Sequence, residues 1–490
     1  MAISFNTIPG PSNLRKPGVY SEIDNSMAVS GPQGPTYRRL LIGQMLATGT
    51  AEPEKLIRIT STAQADAAFG AGSMLAGMVR AAFAQDTYTE LQVMPLEDSV
   101  AGAAATAQAT IGGVATAAGT LYLFVAGRRV DVGVASADTA SAVATKIAAA
   151  VTANANLPVD AAAASATVTF TAKNKGEAGN TLDVRVNYFD GQTVPAGLDF
   201  PVVTPFAGGS GNPDIANGLA AIGAEWFQVW GVAYTDAANL QELTSELTSR
   251  FQWDREIEAH AFTAARGTVG TLAALGNGQN SPHLDIVMAN NEPMPAWEKA
   301  AEVMAIAGKY AAIDPARPLQ NINFEWCLPP QVGERFTDGE RNSLLFDGIA
   351  TTKVVVSDMV AERLITTYQL NAAGAEDISY LDPETLFTLM FIRHDWEGLV
   401  NRKYPRAKLA NDGTRYGPGQ VIVTPKTMEA EAINRFKDWE ELGLVEGIDQ
   451  FKADIISERN ISDPNRLDML LPPDLIGGLR IVANKIQFRL

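Results

Sequence analysis

Few residues in this chain combine the types and spacing that catalysis or cofactor binding needs. Cys327 is the only cysteine, so neither an intramolecular disulfide nor a zinc site of several thiolates can form. His260, His283 and His394 lie far apart in sequence, which argues against a histidine-rich metal site. Phe69-Gly70-Ala71-Gly72-Ser73 begins like a dinucleotide fingerprint, but the third glycine, Gly77, comes two positions late. A turn leading into a helix is the plainer reading there. Gly308-Lys309 lacks both the upstream glycine and the following Ser or Thr of a phosphate loop. No Gly-x-Ser-x-Gly elbow and no His-Glu-x-x-His occurs. His394, two residues from Trp396 on a predicted helix, reads as a packed or surface histidine, and Glu440-Glu441 as a solvated helix face. No catalytic set, cofactor or metal is expected.

Basic residues cluster once. Between Arg393 and Lys408 stand Arg393, Arg402, Lys403, Arg406 and Lys408 against only Asp395 and Glu397. Two readings stay open: a cationic helix end complementing its own dipole, or a docking patch for an acidic partner. The chain as a whole is acidic, with net charge −17, which speaks against a nucleic-acid coat or a polybasic membrane binder. Its start has no basic region followed by an apolar run, and no stretch resembles a bilayer span. A soluble protein folded in a cytoplasm is expected, without nucleic acid and without direct membrane insertion.

The elements that would position these residues fall into blocks. A length of 490 residues suggests roughly three domains. Residues 98–211 hold 29 alanines and no Trp, Met, His or Cys, a composition that sets them apart. Eight acids against six bases leave this window nearly neutral, so the remaining chain carries the negative charge. Strands are expected at 120–125, 166–172 and 182–188, with a helix from a Ser136 or Asp138 cap through Ala153. This is a small α+β module, outward-facing and inserted into a host domain.

The host, 26–97 with 212–344, alternates strands and helices. The nearly continuous apolar run at 226–234 reads as a strand buried on both faces, 258–264 and 284–289 as further strands, and 40–44 and 91–94 as joining the same sheet. Helices are expected after Thr235-Asp236 with Leu240, Leu243, Leu247 and Phe251 inward, over 269–275, and from Pro295 to about Ala312. The layered result is an α/β core. From 345 to 475 a second, α+β domain is expected: Asp382-Pro383-Glu384 starts a helix towards Lys403. A second helix from Thr427 turns Ile433, Phe436 and Trp439 inward and stops at Gly443.

Both ends look like strands. In the closing segment 476–490, Ile486, Phe488 and Leu490 alternate with Lys485, Gln487 and Arg489. Leu479 and Ile481 alternate on the opposite parity, so a bulge near Ala483-Asn484 is expected. In the opening arm, 1–25, Val19, Tyr20 and Ile23 are strand-like after Lys16-Pro17-Gly18. Either arm could complete its own sheet or add a strand to a neighbouring subunit.

These segments resemble a known family. Lys16-Pro17-Gly18-Val19-Tyr20-Ser21-Glu22-Ile23 is similar to the arm near the start of contractile-tail sheath proteins. Leu41-Ile42-Gly43-Gln44, Ile59-Thr60-Ser61 and Phe69-Gly70 resemble that family's opening domain in order. Lys403-Tyr404-Pro405-Arg406-Ala407-Lys408-Leu409-Ala410, Gly443-Leu444-Val445-Glu446 and Asp463-Pro464-Asn465-Arg466-Leu467-Asp468 resemble the sheaths of Mu-like phages. Pro472-Pro473-Asp474-Leu475 and Lys485-Ile486-Gln487-Phe488-Arg489-Leu490 complete the likeness.

The resemblance implies a structural subunit of a virion tail, not an enzyme, assembled in the host cytoplasm. It implies sixfold rings stacked helically around a tail tube, linked by swapped terminal strands and contracting on a baseplate signal. Partners would be further copies of itself, the tail tube protein, and baseplate and tail terminator proteins. On this reading Arg402, Lys403, Arg406 and Lys408 face the tube. The alternatives are an α/β enzyme with a lid-like insertion, and a surface-layer or adhesin protein.

Overall fold

The structure, a computed structural model, describes residues 34–200 and 202–489 together with Lys16 and Pro32. Val19, Tyr20, Ile23 and Leu490 lie outside the described residues. Two compact units emerge: Thr36–Met390 with 477–489, and Phe391–Ile476.

The larger unit is organised by an eight-stranded sheet. Its order is Asp358–Arg363, Ile349–Val355, Leu284–Met288, His260–Ala265, Val229–Val232, Arg38–Gln44, Glu90–Leu96, Ile57–Ile59. The six inner strands are parallel, with Leu40 opposite Trp230 and Ala261 opposite Leu284. Antiparallel strands close both edges. The central runs are buried along their whole length, as parallel strands covered on two faces must be.

Helix Ala296–Ile313 lies on this sheet and is buried nearly all round. Its close seat depends on Gly231, where a Cβ would meet Leu41 Cδ2 at 2.7 Å and the helix at Met304 and Ala301. The crossover helix Ala237–Phe251 is capped by Asp236 and buries Leu240, Leu243 and Leu247. Phe251 is only half-buried. Helix Val269–Asn277 is capped by Thr268.

One boundary differs from expectation. The second domain does not begin at 345, because Ile349–Val355 pairs parallel with Leu284–Met288 and extends the core sheet. The irregular stretch before it, with few regular elements, mimics a linker in sequence. The division falls instead inside helix Pro383–Lys403.

Residues 98–211 sit between Glu90–Leu96 and Val229–Val232 in the chain, although both strands flank Arg38–Gln44 in the sheet. The module is richer in β structure than expected. Thr106–Thr110, Thr167–Ala172 and Val159–Ala164 form one antiparallel sheet; Gly119–Val125, Arg128–Val134 and Val184–Val186 form another. Its helix, Ala140–Ala153, is capped by Thr139 rather than Ser136 or Asp138 and buries Val143, Ile147 and Val151.

The module is closely fitted to the core. Asp98 accepts from Gln44 Nε2 at 2.7 Å and from Asn174 Nδ2 at 3.0 Å, while Asn174 Oδ1 accepts from Met74 N. Arg128 pairs with buried Glu298 at 2.7 Å, and Arg185 with Glu334 at 3.0 Å. Gly72, at φ 80°, brings core backbone so near the Leu157 carbonyl that a Cβ would lie 2.3 Å from it.

The unit Phe391–Ile476 has its own core. Phe436 stacks on Phe451 with ring centroids 4.3 Å apart, and Ala432 and Trp439 are fully buried. Ile433 is half-buried instead of inward. The Arg435 guanidinium and Trp439 Nε1 converge on the buried Asp395 carboxylate. A hairpin of Ile456–Arg459 and Leu467–Leu470 ends the unit, followed by the short pair of Val445–Glu446 with Asp474–Leu475.

Candidate functional site

The chemistry-bearing residues resolve into structural roles. His260 Nε2 lies 2.9 Å from Asp285 Oδ1, and both side chains are wholly buried beneath Phe262 and Phe387. Burial pushes the imidazole of His260 down to about 3, and does the same to His283. His394 is half-buried, and Cys327 is buried. Gly70, at φ 86°, closes helix Thr62–Phe69, and Ser73 then caps Met74–Gln85, so the glycine stretch is a turn between two helices. Among the described residues no group of three or more His, Cys, Asp or Glu is arranged for a metal. No helix among them is long and apolar enough to cross a membrane.

The four cations Arg402, Lys403, Arg406 and Lys408 come together at the end of helix Pro383–Lys403 and the strand that follows, Lys408–Leu409. All four are exposed. Lys403 Nζ pairs with Glu431 at 2.5 Å, and Lys408 Nζ donates to Gln420 Oε1 at 2.7 Å. Arg402 and Arg406 have no ion-pair partner among the described residues, so their charge faces outward.

The closing segment is the most unusual surface. Residues 477–489 form no strand and join no sheet among the described residues. The expected bulge at Ala483-Asn484 therefore has no ladder to interrupt. A strand needs a partner strand for its backbone groups, and this segment has none among the described residues. Yet it is apolar: Leu479 and Ile481 are exposed, Ile486 is 90% exposed and Phe488 78%. Contiguous exposed apolar side chains mark an interaction surface.

The base of this arm is fixed to the larger unit. Arg480 Nη2 lies 3.1 Å from Asp382 Oδ1 and 3.0 Å from Glu384 Oε1, and Nη1 donates to Gln320 Oε1 at 3.2 Å. Asp382 also holds Arg363 at 3.1 Å, and Gln320 Nε2 donates to the Leu479 carbonyl. Burial raises the Glu384 carboxyl, while Arg480 opposes the shift. Gly478 fits against Pro318, where a Cβ would come within 2.8 Å. Sequence reasoning missed this latch; its only local signal is one arginine inside the apolar run Leu479, Ile481, Val482.

A second surface is suited to receive a strand. The hairpin Ile456–Arg459 with Leu467–Leu470 has two strands only, and each keeps an unpaired outer edge among the described residues. Ile456 opposes Leu470, and both are about half exposed. Two-stranded sheets are marginal alone and gain from an added strand.

Comparisons with known proteins agree along the whole chain. Family models match at residues 208–367 (phage tail sheath protein central domain), 375–489 (phage tail sheath C-terminal domain) and 100–199 (phage tail sheath protein beta-sandwich domain). The Mu-like prophage FluMu tail sheath protein of Haemophilus influenzae is 39% identical over 489 residues, covering 100% of both chains. Among solved structures, the sheath tail protein from Desulfitobacterium hafniense is 14% identical, with TM-score 0.48, over 94% of this chain and 100% of that one. The sheath complex of an extracellular contractile injection system, in its contracted state, is 10% identical with TM-score 0.50, over 97% of this chain and 98% of that one. At 10% identity the likeness to the injection-system sheath is one of fold alone.

Proposed function

The chain belongs to the phage tail sheath family, and from that premise we propose that it polymerises as sixfold rings stacked helically around a tail tube and contracts to drive the tube through a host envelope. One observation carries the reading: an apolar arm, 481–489, held at its base by Arg480 and left uncovered by its own subunit. In the assembly the arm of one copy adds to the edge of the Ile456–Arg459 hairpin of another, and the opening arm with Val19, Tyr20 and Ile23 does likewise. A head-to-tail contact that does not close gives a helical stack. Contraction exchanges one packing of rigid units for another while the arms keep neighbours joined. Partners are other copies, the tail tube protein, and baseplate and tail terminator proteins. The subunit works in the virion tail after assembly in the host cytoplasm. No observation favours an α/β enzyme with a lid-like insertion. Negative-stain microscopy of the purified chain tests the proposal: tubes support it, and a stable monomer at high concentration contradicts it.

The tube-facing role of Arg402, Lys403, Arg406 and Lys408 has its own test. Exposed ion pairs contribute about 0–1 kcal/mol each, so attraction to a negative tube must come from repetition over many subunits. Changing all four to Glu should weaken sheath–tube association and leave the melting of the free subunit nearly unchanged. Normal recruitment of the quadruple variant at low and high salt rules the role out.

The inserted module should lie outward and contribute little to ring stacking. Replacing residues 99–210 with a Gly/Ser bridge removes Arg128 from buried Glu298, so the deletion is paired with Glu298→Gln, which keeps an acceptor for Trp326 Nε1. Such a chain should still form tubes. A folded core that forms none would show that the module belongs to the stacking contacts.

A further inference from the structure

The root of the arm is fastened to a buried carboxylate. Glu384 is 6% exposed and stands in the first turn of helix Pro383–Lys403. Its Oε1 accepts from the Leu319 backbone N–H and lies 3.0 Å from Arg480 Nη2, while Oε2 has no hydrogen-bond partner among the described residues. Arg480 is the one cation in ion-pair contact with Glu384 among the described residues. Asp382 shares Arg480 but keeps a second cation, Arg363, at 3.1 Å, and is more exposed. Opening the latch therefore strips Glu384 of its counter-charge, whereas Asp382 retains one.

The groups around Glu384 supply no replacement cation. On its own helix, Asp382 disfavours a second negative charge, while the backbone N–H groups of Glu384 and Leu319 favour the ionised form. The core strands that meet this helix at Phe387 carry His260 and Asp285, which are wholly buried and joined at 2.9 Å. Burial keeps that imidazole uncharged and holds a proton on Asp285, so the pair gives Glu384 no net positive charge. His283, whose charge is opposed by burial and by His260, is likewise neutral. A buried carboxylate that loses its counter-ion avoids standing as an isolated charge by taking up a proton. The open latch then binds more protons than the closed one, and by linkage a falling pH favours opening.

We propose that the Arg480–Glu384 pair makes the root of the arm a proton-coupled latch, which holds while Glu384 is ionised, opens as Glu384 takes up a proton, and draws a proton onto the same carboxylate when the arm is pulled free. Even with Arg480 in place, burial raises the Glu384 carboxyl above its ordinary 4.5, and losing Arg480 removes an influence that lowers it. Opening therefore increases as pH falls below the value of the unlatched carboxyl and levels off below that of the latched one. Both values lie above the ordinary one. The proposal concerns a single subunit and is independent of the assembly reading.

The test uses the full chain, taken as the unassembled fraction from gel filtration and carrying a nitroxide at Val482→Cys. Cys327 is buried and should stay unlabelled, which the chain without Val482→Cys verifies. Electron paramagnetic resonance reads the ratio of mobile to immobile label, and circular dichroism confines the comparison to pH values at which the fold is intact. Between about pH 8 and about pH 5.5 the ratio should rise at least about threefold, as half a unit's difference between the latched and unlatched carboxyl gives. Glu384→Gln cannot titrate, so its label should be equally mobile at both pH values. Arg480→Gln should be mobile already at the higher pH and unresponsive to acid, whereas Asp382→Asn should keep the response. If Glu384→Gln does not fold, Arg480→Gln decides. An unchanged ratio in the labelled parent, a pH response that survives in Glu384→Gln or Arg480→Gln, or one that is lost in Asp382→Asn overturns the proposal.

Discussion

Ending the chain at Asn484 should give a folded, soluble subunit that no longer forms tubes. The truncation removes Ile486, Phe488 and Leu490 but leaves the Arg480 latch and both units intact. None of residues 481–489 is buried, so the cut takes nothing from either core. The melting midpoint should move by less than about 2 °C, as for other surface changes. Assembly, in contrast, loses three apolar side chains at about 1.5–3 kcal/mol each, in total roughly 5–9 kcal/mol before ordering costs. At about 1.4 kcal/mol per tenfold change, that loss exceeds a thousandfold in subunit affinity. Sedimentation and electron microscopy of the truncated chain check it. Persistent long tubes, or loss of the cooperative unfolding transition, would count against an intersubunit arm.

The largest stability effect is expected deep in the core. Lys299 is fully buried; its ammonium donates to the Met288 carbonyl and to Thr352 Oγ1 at 2.9 Å, and pairs with Glu292. Lys299→Met leaves Glu292 buried without its counter-ion, which costs about 3–5 kcal/mol. Lys299→Met with Glu292→Leu removes both charges and should recover more than half of that loss, because apolar pairs of similar size replace buried ion pairs at little cost. Urea midpoints of the unassembled subunit report both changes. The pH dependence follows from the carboxyl. Burial already raises Glu292 above its ordinary value of 4.5, although Lys299 opposes this. A raised carboxyl binds its proton more tightly folded than unfolded, so its stabilising effect is full below about pH 4.5 and lost as pH rises. The single variant's deficit should therefore be smaller at pH 4 than at pH 7.

Legibility in the sequence followed the strength of local pattern. The runs expected as strands at 40–44, 226–234 and 284–289 each hold a core of apolar residues, and strands form at Arg38–Gln44, Val229–Val232 and Leu284–Met288. Caps such as Asp236 and the turn at Gly70 are equally local signals. Thr106–Thr110 escaped notice because its alanines alternate with Thr and Gln at too little contrast in size, and Val159–Ala164 because its run of four alanines carries no alternation at all. Ile349–Val355 was assigned to the wrong domain because its partner, Leu284–Met288, is about sixty residues earlier and only the tertiary fold joins them. The latch was illegible for the same reason: Arg480 meets Gln320, Asp382 and Glu384 across 96 to 160 residues.

The return of residues 477–489 to the larger unit, after the chain has built Phe391–Ile476, sets where a pull would be felt. Tension applied to an arm gripped by a neighbour reaches Arg480 first, and through Asp382 and Glu384 it passes to the start of helix Pro383–Lys403. The ion pairs and the Gln320 bonds then share that tension before it travels along the backbone to Ile476. In the proposed assembly, the short pair of Val445–Glu446 with Asp474–Leu475 would thus be shielded from being peeled apart, strand by strand, when subunits move. Neutralising Arg480 would transfer the strain to that pair, so the latch acts as a strain relief at the root of the arm.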